Sequence, residues 1–216
     1  MEDGKAMIKI NVLYEDNHVI VVEKPINVLS QSDSTGDDDL LSMVKLYIKE
    51  KYKKTGNVYL GLIHRLDRPV GGIMVFAKTS KAAKRMTEQI KNHKFEKTYL
   101  AVINGVIDKD EDIFIDYLKK TSNGNTIVTT KDDGKYSELK YKVLQKNKKD
   151  NMTLIEINLK TGRHHQIRVQ FSTRGYPLCG DQRYGKQDMT PIALFAYKIR
   201  FNHPITKENM EFKLEP

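Results

Sequence analysis

The sequence predicts an α+β fold, with a mixed, mainly antiparallel central sheet flanked by helices around a cleft. Three observations carry that prediction. Strand-like segments follow one another in runs, punctuated by only a few helical ones. Residues 137–144 and 152–159 alternate apolar and polar side chains, as antiparallel strands with one wet face do. The strict strand–helix alternation of a doubly wound parallel sheet is absent.

Each element has its local reason. Residues 18–23 (His-Val-Ile-Val-Val-Glu) form a β-branched apolar run stopped by Lys24-Pro25, a buried strand. Residues 30–39 are polar and acidic around Gly36, and read as a surface loop rather than a domain boundary. The aspartates ending that loop offer an N-cap. Beyond them Leu40, Leu41, Val44, Tyr47 and Ile48 recur at helical spacing, until Gly56 offers a stop. Residues 72–77 read as another buried strand. Thr79 or Ser80 can cap a helix to about Asn92, with Ala82, Ala83, Met86 and Ile90 on its inner face. Residues 97–103, 113–117 and 126–130 read as strands, and a polar turn at 146–151 joins the two alternating ones. After Gly162, residues 165–173 form a helix stopped by Gly175, and 193–201 add a strand. No repeat or low-complexity linker divides the chain, so residues 1–216 are read as a single domain.

Hydrophobic residues make up 39% of the chain, with 11 Tyr and 7 Phe, enough for a core and too many for a disordered chain. No stretch reaches the roughly 18 apolar residues of a membrane-spanning helix. Residues 1–5 are polar and lead into a strand-like segment rather than an apolar leader, so the expected location is cytoplasmic. The single Cys179 excludes an internal disulfide framework and a cysteine-built zinc site. Lysine and arginine number 37 against 28 acidic residues, a net charge of +9 that points to a polyanion, nucleic acid foremost. Lys49, Lys51, Lys53, Lys54, Lys146, Lys148 and Lys149 read mostly as a solvated surface.

Two segments concentrate chemistry. The first runs Gly61-Leu62-Ile63-His64-Arg65-Leu66-Asp67-Arg68-Pro69-Val70-Gly71-Gly72 between two apolar stretches. Positive charge on both sides keeps Asp67 ionised, fit to act as nucleophile or base. The plainer reading makes Asp67 a turn cap and the arginines solvated. The second runs Lys160-Thr161-Gly162-Arg163-His164-His165-Gln166-Ile167-Arg168-Val169. A helix starting near Arg163 places His164 and Arg168 four apart on one face, with N-terminal backbone donors for an anion. Adjacent histidines diverge on a helix and lack partners at ligand spacing, so no metal site is expected. Tyr99 is an ordinary strand aromatic or a stacking platform for a base, its phenol available for proton transfer.

Together these segments resemble the RluA family of pseudouridine synthases. His64 to Gly72 is similar to the signature around that family's catalytic aspartate. Lys97-Thr98-Tyr99-Leu100-Ala101 is similar to its tyrosine element, and Gly162-Arg163-His164-His165-Gln166-Ile167-Arg168 to its arginine element. Weaker echoes are Val22-Glu23-Lys24-Pro25, Gly180-Asp181-Gln182-Arg183-Tyr184-Gly185 and Phe201-Asn202-His203-Pro204. Gly71 stands where the family often has Ser, and Phe195-Ala196 where His-Ala is common. The pattern begins within the first two dozen residues, leaving no room for an N-terminal S4-type module.

The resemblance implies isomerisation of a uridine in structured ribosomal or transfer RNA, without metal or organic cofactor, by a monomer. It makes Asp67 the nucleophile, Arg168 its partner and Tyr99 the stacking residue. Arg65 fills the gap left by a flipped base, and Val169 lines the uracil pocket. His64, Arg68, Arg163 and His165 join them as substrate-binding candidates. Attack on the base, attack on the ribose and elimination at the ribose are all compatible with it. Two rivals stand beside this reading. A non-catalytic RNA-binding protein with the same fold could spare Asp67, Tyr99 or Arg168, yet keeps all three. A glycoside hydrolase needs a second carboxylate, for which Asp181 is nearest in sequence, with no supporting spacing.

Overall fold

The computed structural model describes residues 10–186 and 190–216; residues 1–5, read as a polar start, lie outside them. Strands β1 (Val12–Glu15) and β2 (Val19–Lys24) form a hairpin whose turn is held by Asp16, Oδ1 accepting from His18 N and Val19 N. Helix α1 (Leu40–Lys51) starts at Asp39, whose carboxylate accepts from Ser42 N at 3.0 Å. Then come β3 (Gly61–Leu62), β4 (Gly71–Ala77) and α2 (Ser80–Lys91), the last capped by Thr79. Strands β5 (Glu96–Asn104), β6 (Glu111–Lys120), β7 (Thr126–Thr129), β8 (Lys135–Asn147) and β9 (Met152–Leu159) follow in succession. Helix α3 (Gln166–Ser172), β10 (Leu194–Asn202) and β11 (Asn209–Lys213) complete the described residues.

The strands pair in the order β1-β2-β4-β10-β5-β9-β8-β6-β7, with β3 added to β4 and β11 to β10. Among the described strands only β4 and β10 run parallel, joined by Phe195 with Gly71 and Ala196 with Gly72. The sheet is thus mixed and mainly antiparallel, as expected. Strands β2 and β4 are buried on both faces, which explains why they read as unbroken apolar runs. One face, with Val19, Val21, Ile73 and Val75, packs on Met86 of α2 and on Phe95. The other, with Ile20, Val22, Met74 and Phe76, packs on Leu40, Val44 and Ile48 of α1 and Phe171 of α3. Strands β8 and β9 cover one face only, hence their alternation.

Some expectations need correction. Helix α3 begins at Gln166 rather than near Arg163, because His165 takes the left-handed conformation (φ 50) that breaks helical continuity. His164 therefore precedes the helix, and the four-residue pairing with Arg168 does not form. The loop at 30–39 is not wholly superficial, since Ser30 and Asp39 at its ends are buried. Strand β11 exposes every second residue at the sheet margin, and β3 has two residues; neither carries an apolar run.

The β4–β10 junction demands a glycine. Gly72 has φ 125, and a Cβ there would lie 2.3 Å from the Ala196 carbonyl oxygen. Gly72→Ala is expected to cost about 3 kcal/mol through clash and strain. A marked fall in Tm checks this; an unchanged Tm would refute the tight junction.

Candidate active site

The two chemistry-bearing segments meet in a cleft of about 1400 Å³ lined by residues from β3–β4, β5, α3 and the loop before β10. Asp67 sits on the β3–β4 loop, pinned on both sides. Ser30 Oγ donates to Leu66 O at 2.7 Å and accepts from Leu66 N at 3.1 Å. Lys24 Nζ, fully buried, donates to Pro25 O at 2.8 Å and to Arg68 O at 3.0 Å. Burial pulls Lys24 down to about 8 despite the nearby Asp67 charge. Leu66 and Val70 anchor the loop in the core, leaving the Asp67 side chain 28% exposed. Nothing in the sequence marked Ser30 or Lys24 as supports of this loop, apart from the Lys24-Pro25 echo.

Arg168 projects from α3, and its Nη1 donates to Asp67 Oδ2 at 3.3 Å. Its other face is held by Asp181, to which Nε and Nη2 donate at 2.8 and 2.7 Å. The Asp181 side chain is fully buried and also accepts from Arg183 N and Tyr184 N. Burial alone would raise the Asp181 carboxyl; the Arg168 hydrogen bonds and charge outweigh it and hold it low. A carboxylate saturated by an arginine has no capacity left for acid–base work, which removes the hydrolase reading of Asp181.

Tyr99 on β5 is 6% exposed and lines the cleft. Burial, reinforced by the Asp67 charge, pushes its phenol far above the ordinary tyrosine range. Lys97 lines the same wall, and burial lowers it to about 8. Gly162 permits that approach, since a Cβ there would lie 3.0 Å from Lys97 Nζ.

The remaining predicted residues divide. Arg65 is exposed at the cleft, and Arg68 pairs with Asp37 at 2.7 Å, both groups being half-exposed. Arg163 lines the cleft while its Nε donates to Tyr136 O at 2.9 Å. His64 spends Nε2 on Val75 N and packs on Phe95; burial lowers it to about 3, so it is neutral. His164 and His165 do not diverge. The left-handed turn folds their rings together, with centroids 3.7 Å apart. His165 Nε2 lies 3.6 Å from Asp67 Oδ2. Val169 is buried outside the cleft lining, because one residue along α3 turns about 100° away from the face that carries Arg168. Ile167, Ile192 and Leu194 supply apolar lining instead. Sequence reasoning missed Arg183, which also lines the cleft and whose Nη1 donates to Asn125 Oδ1 at 2.8 Å. Among the described residues no three His, Cys, Asp or Glu side chains are grouped to hold a metal ion, and no helix is long and apolar enough to cross a membrane.

Known proteins resemble this chain in sequence and in fold. The chain is 32% identical over 220 residues to an uncharacterized RNA pseudouridine synthase of Aquifex aeolicus, covering 96% of this chain and 70% of that protein. It is 29% identical to the ribosomal large subunit pseudouridine synthase C of Haemophilus influenzae, covering 96% of this chain and 65% of that protein. The chain thus spans about two thirds of the length of these relatives. In fold it is similar to human RNA pseudouridylate synthase domain containing 4, with a TM-score of 0.79 at 18% identity, over 95% of this chain and 88% of that one. The RNA pseudouridylate synthase family matches residues 18–173, a span that takes in Asp67, Tyr99 and Arg168 alike, and the chain belongs to that family of RNA-modifying isomerases.

Proposed function

We propose that this protein converts a uridine in structured ribosomal RNA to pseudouridine, with Asp67 as nucleophile. One observation carries the reading: an aspartate held by a buried arginine faces a basic cleft whose lining includes the largely buried Tyr99. The large-subunit relatives favour ribosomal over transfer RNA as substrate.

In this reaction the bond between uracil N1 and ribose C1′ breaks and C1′ joins uracil C5; C5 gives up its proton and N1 takes one up, so substrate and product are isomers. The target must leave its stack, which costs a few kcal/mol. Arg65, exposed at the cleft, suits the vacated position. Phosphate contacts from Arg68, Arg163 and Arg183 supply affinity that weakens with salt. Specificity comes from RNA shape and splayed bases. Arg168 holds the Asp67 carboxylate in place through its Nη1 contact with Oδ2. Tyr99 stacks on the uracil; its raised phenol stays protonated at neutral pH, so it acts as a wall and hydrogen-bond donor rather than a resting base.

The test uses large-subunit ribosomal RNA and transfer RNA transcripts carrying tritium at uracil C5. Stoichiometric tritium release from the ribosomal transcript, with pseudouridine mapped to a discrete position, is the expected result. Binding of both transcripts without release from either would identify a non-catalytic RNA-binding protein and refute the proposal.

A further inference from the structure

The turn from Gly180 to Gly185 gives Asp181 to Arg168, and its tyrosine reaches the other neighbour of Asp67. The Tyr184 hydroxyl accepts from Thr126 N at 2.8 Å and lies 2.7 Å from His165 Nδ1. The Tyr184 hydroxyl can donate to Nδ1 while accepting from Thr126 N, and a carboxylate facing Nε2 favours the proton on that nitrogen. A neutral imidazole carries one proton, so an accepting Nδ1 leaves that proton on Nε2. Nε2 faces Asp67 Oδ2 across 3.6 Å, the same oxygen that Arg168 reaches. Both neighbours fall on Oδ2, which singles out Oδ1 as the reacting oxygen.

We propose that Tyr184 and His165 are positioning residues: Tyr184 sets the His165 tautomer, and the His165 Nε2–H holds Asp67 Oδ2 beside Arg168 so that Oδ1 meets the substrate. This rests on the reading of Asp67 as nucleophile. Three further features support it. His165 occupies a left-handed backbone conformation (φ 50), uncommon for a non-glycine residue, which sets the direction of its side chain. The His165 ring is gripped between His164 and the Tyr184 ring, the latter edge-on at 5.5 Å. Burial keeps His165 neutral, lowering it to about 4 against the pull of Asp67. The 3.6 Å separation exceeds hydrogen-bond length, so the proposed contact requires Nε2 and Oδ2 to approach by about half an ångström in the working complex.

Nitrogen-15 NMR of the full chain without RNA, with the His165 signals assigned through His165→Gln, reads the tautomer directly. At neutral pH the expected form has Nε2 protonated and Nδ1 bare. Tyr184→Phe keeps the ring beside Arg168 and removes only the hydroxyl; both tautomers are then expected in exchange. In single-turnover tritium release from the large-subunit transcript, Tyr184→Phe is expected to lose about tenfold in rate at unchanged half-saturation by RNA. His165→Gln, which retains an N–H near the Nε2 position, is expected to outperform His165→Ala. A proton on Nδ1 of the parent protein, or parental turnover by Tyr184→Phe, overturns the proposal. Asp67→Asn in the same assay tests the underlying reading separately, because its outcome leaves the tautomer measurement untouched.

Discussion

Asp67→Asn is expected to reduce pseudouridine formation by a factor on the order of 10⁴ or more, while the protein folds and binds RNA. The amide keeps the shape and the contact with Arg168 but has no anionic oxygen to form a bond. The fold is spared because Arg168 retains its stronger partner, Asp181, at 2.7 and 2.8 Å against 3.3 Å for Asp67. RNA affinity is expected to hold or to rise slightly, since the cleft loses one negative charge near the phosphates. Tritium release and filter binding on the same transcript measure the two effects. Release at the parental rate would remove Asp67 from the chemistry.

Asp181→Asn is expected to destabilise the fold by about 3 kcal/mol, the usual scale for leaving one member of a buried ion pair behind. The Arg168 side chain is 7% exposed and Asp181 is fully buried, so water does not replace the lost charge. The folded state lowers the Asp181 pKa, so its contribution is present above the unfolded value near 4 and is lost as pH falls through the lower folded value. Denaturant unfolding at several pH values should therefore show a gap between parent and variant that is full at neutral pH and shrinks in acid. The double variant Asp181→Asn with Arg168→Met should regain much of the stability and remain inactive, because no charge is stranded and Oδ1 still accepts from Arg183 N and Tyr184 N. A parental unfolding midpoint for Asp181→Asn would show that the pair contributes nothing.

The elements that sequence reasoning located are those whose own residues determine them. Strands β2 and β4 are apolar throughout, α1 and α2 carry their caps at Asp39 and Thr79, and β8 and β9 alternate. What escaped depends on distant partners. The early break of α3 comes from a left-handed His165 whose ring is held by Tyr184, 19 residues later in the chain. Asp181 looked like a stray carboxylate because its arginine lies 13 residues away, with no periodicity to link them. Val169 was placed by its neighbour Arg168, and helical geometry turned it the other way. Motif order made Asp67, Tyr99 and Arg168 legible as candidates; the buttresses Lys24, Ser30 and Asp181 became visible only once the chain was folded.

The position of β10 has a consequence for how the molecule comes into being. It is one of the last strands in the chain, yet among the described strands it is the one that joins β4 of the amino-terminal layer to β5 of the long meander. Both halves precede β10 in the chain, so each presents an unpaired edge until that strand is added. Asp67 belongs to one half, and Tyr99 and Arg168 to the other. A chain without β10 would carry Asp67, Tyr99 and Arg168 yet lack the strand that seats the halves side by side. The placement of Asp67 beside Arg168 thus depends on closure of the sheet by β10.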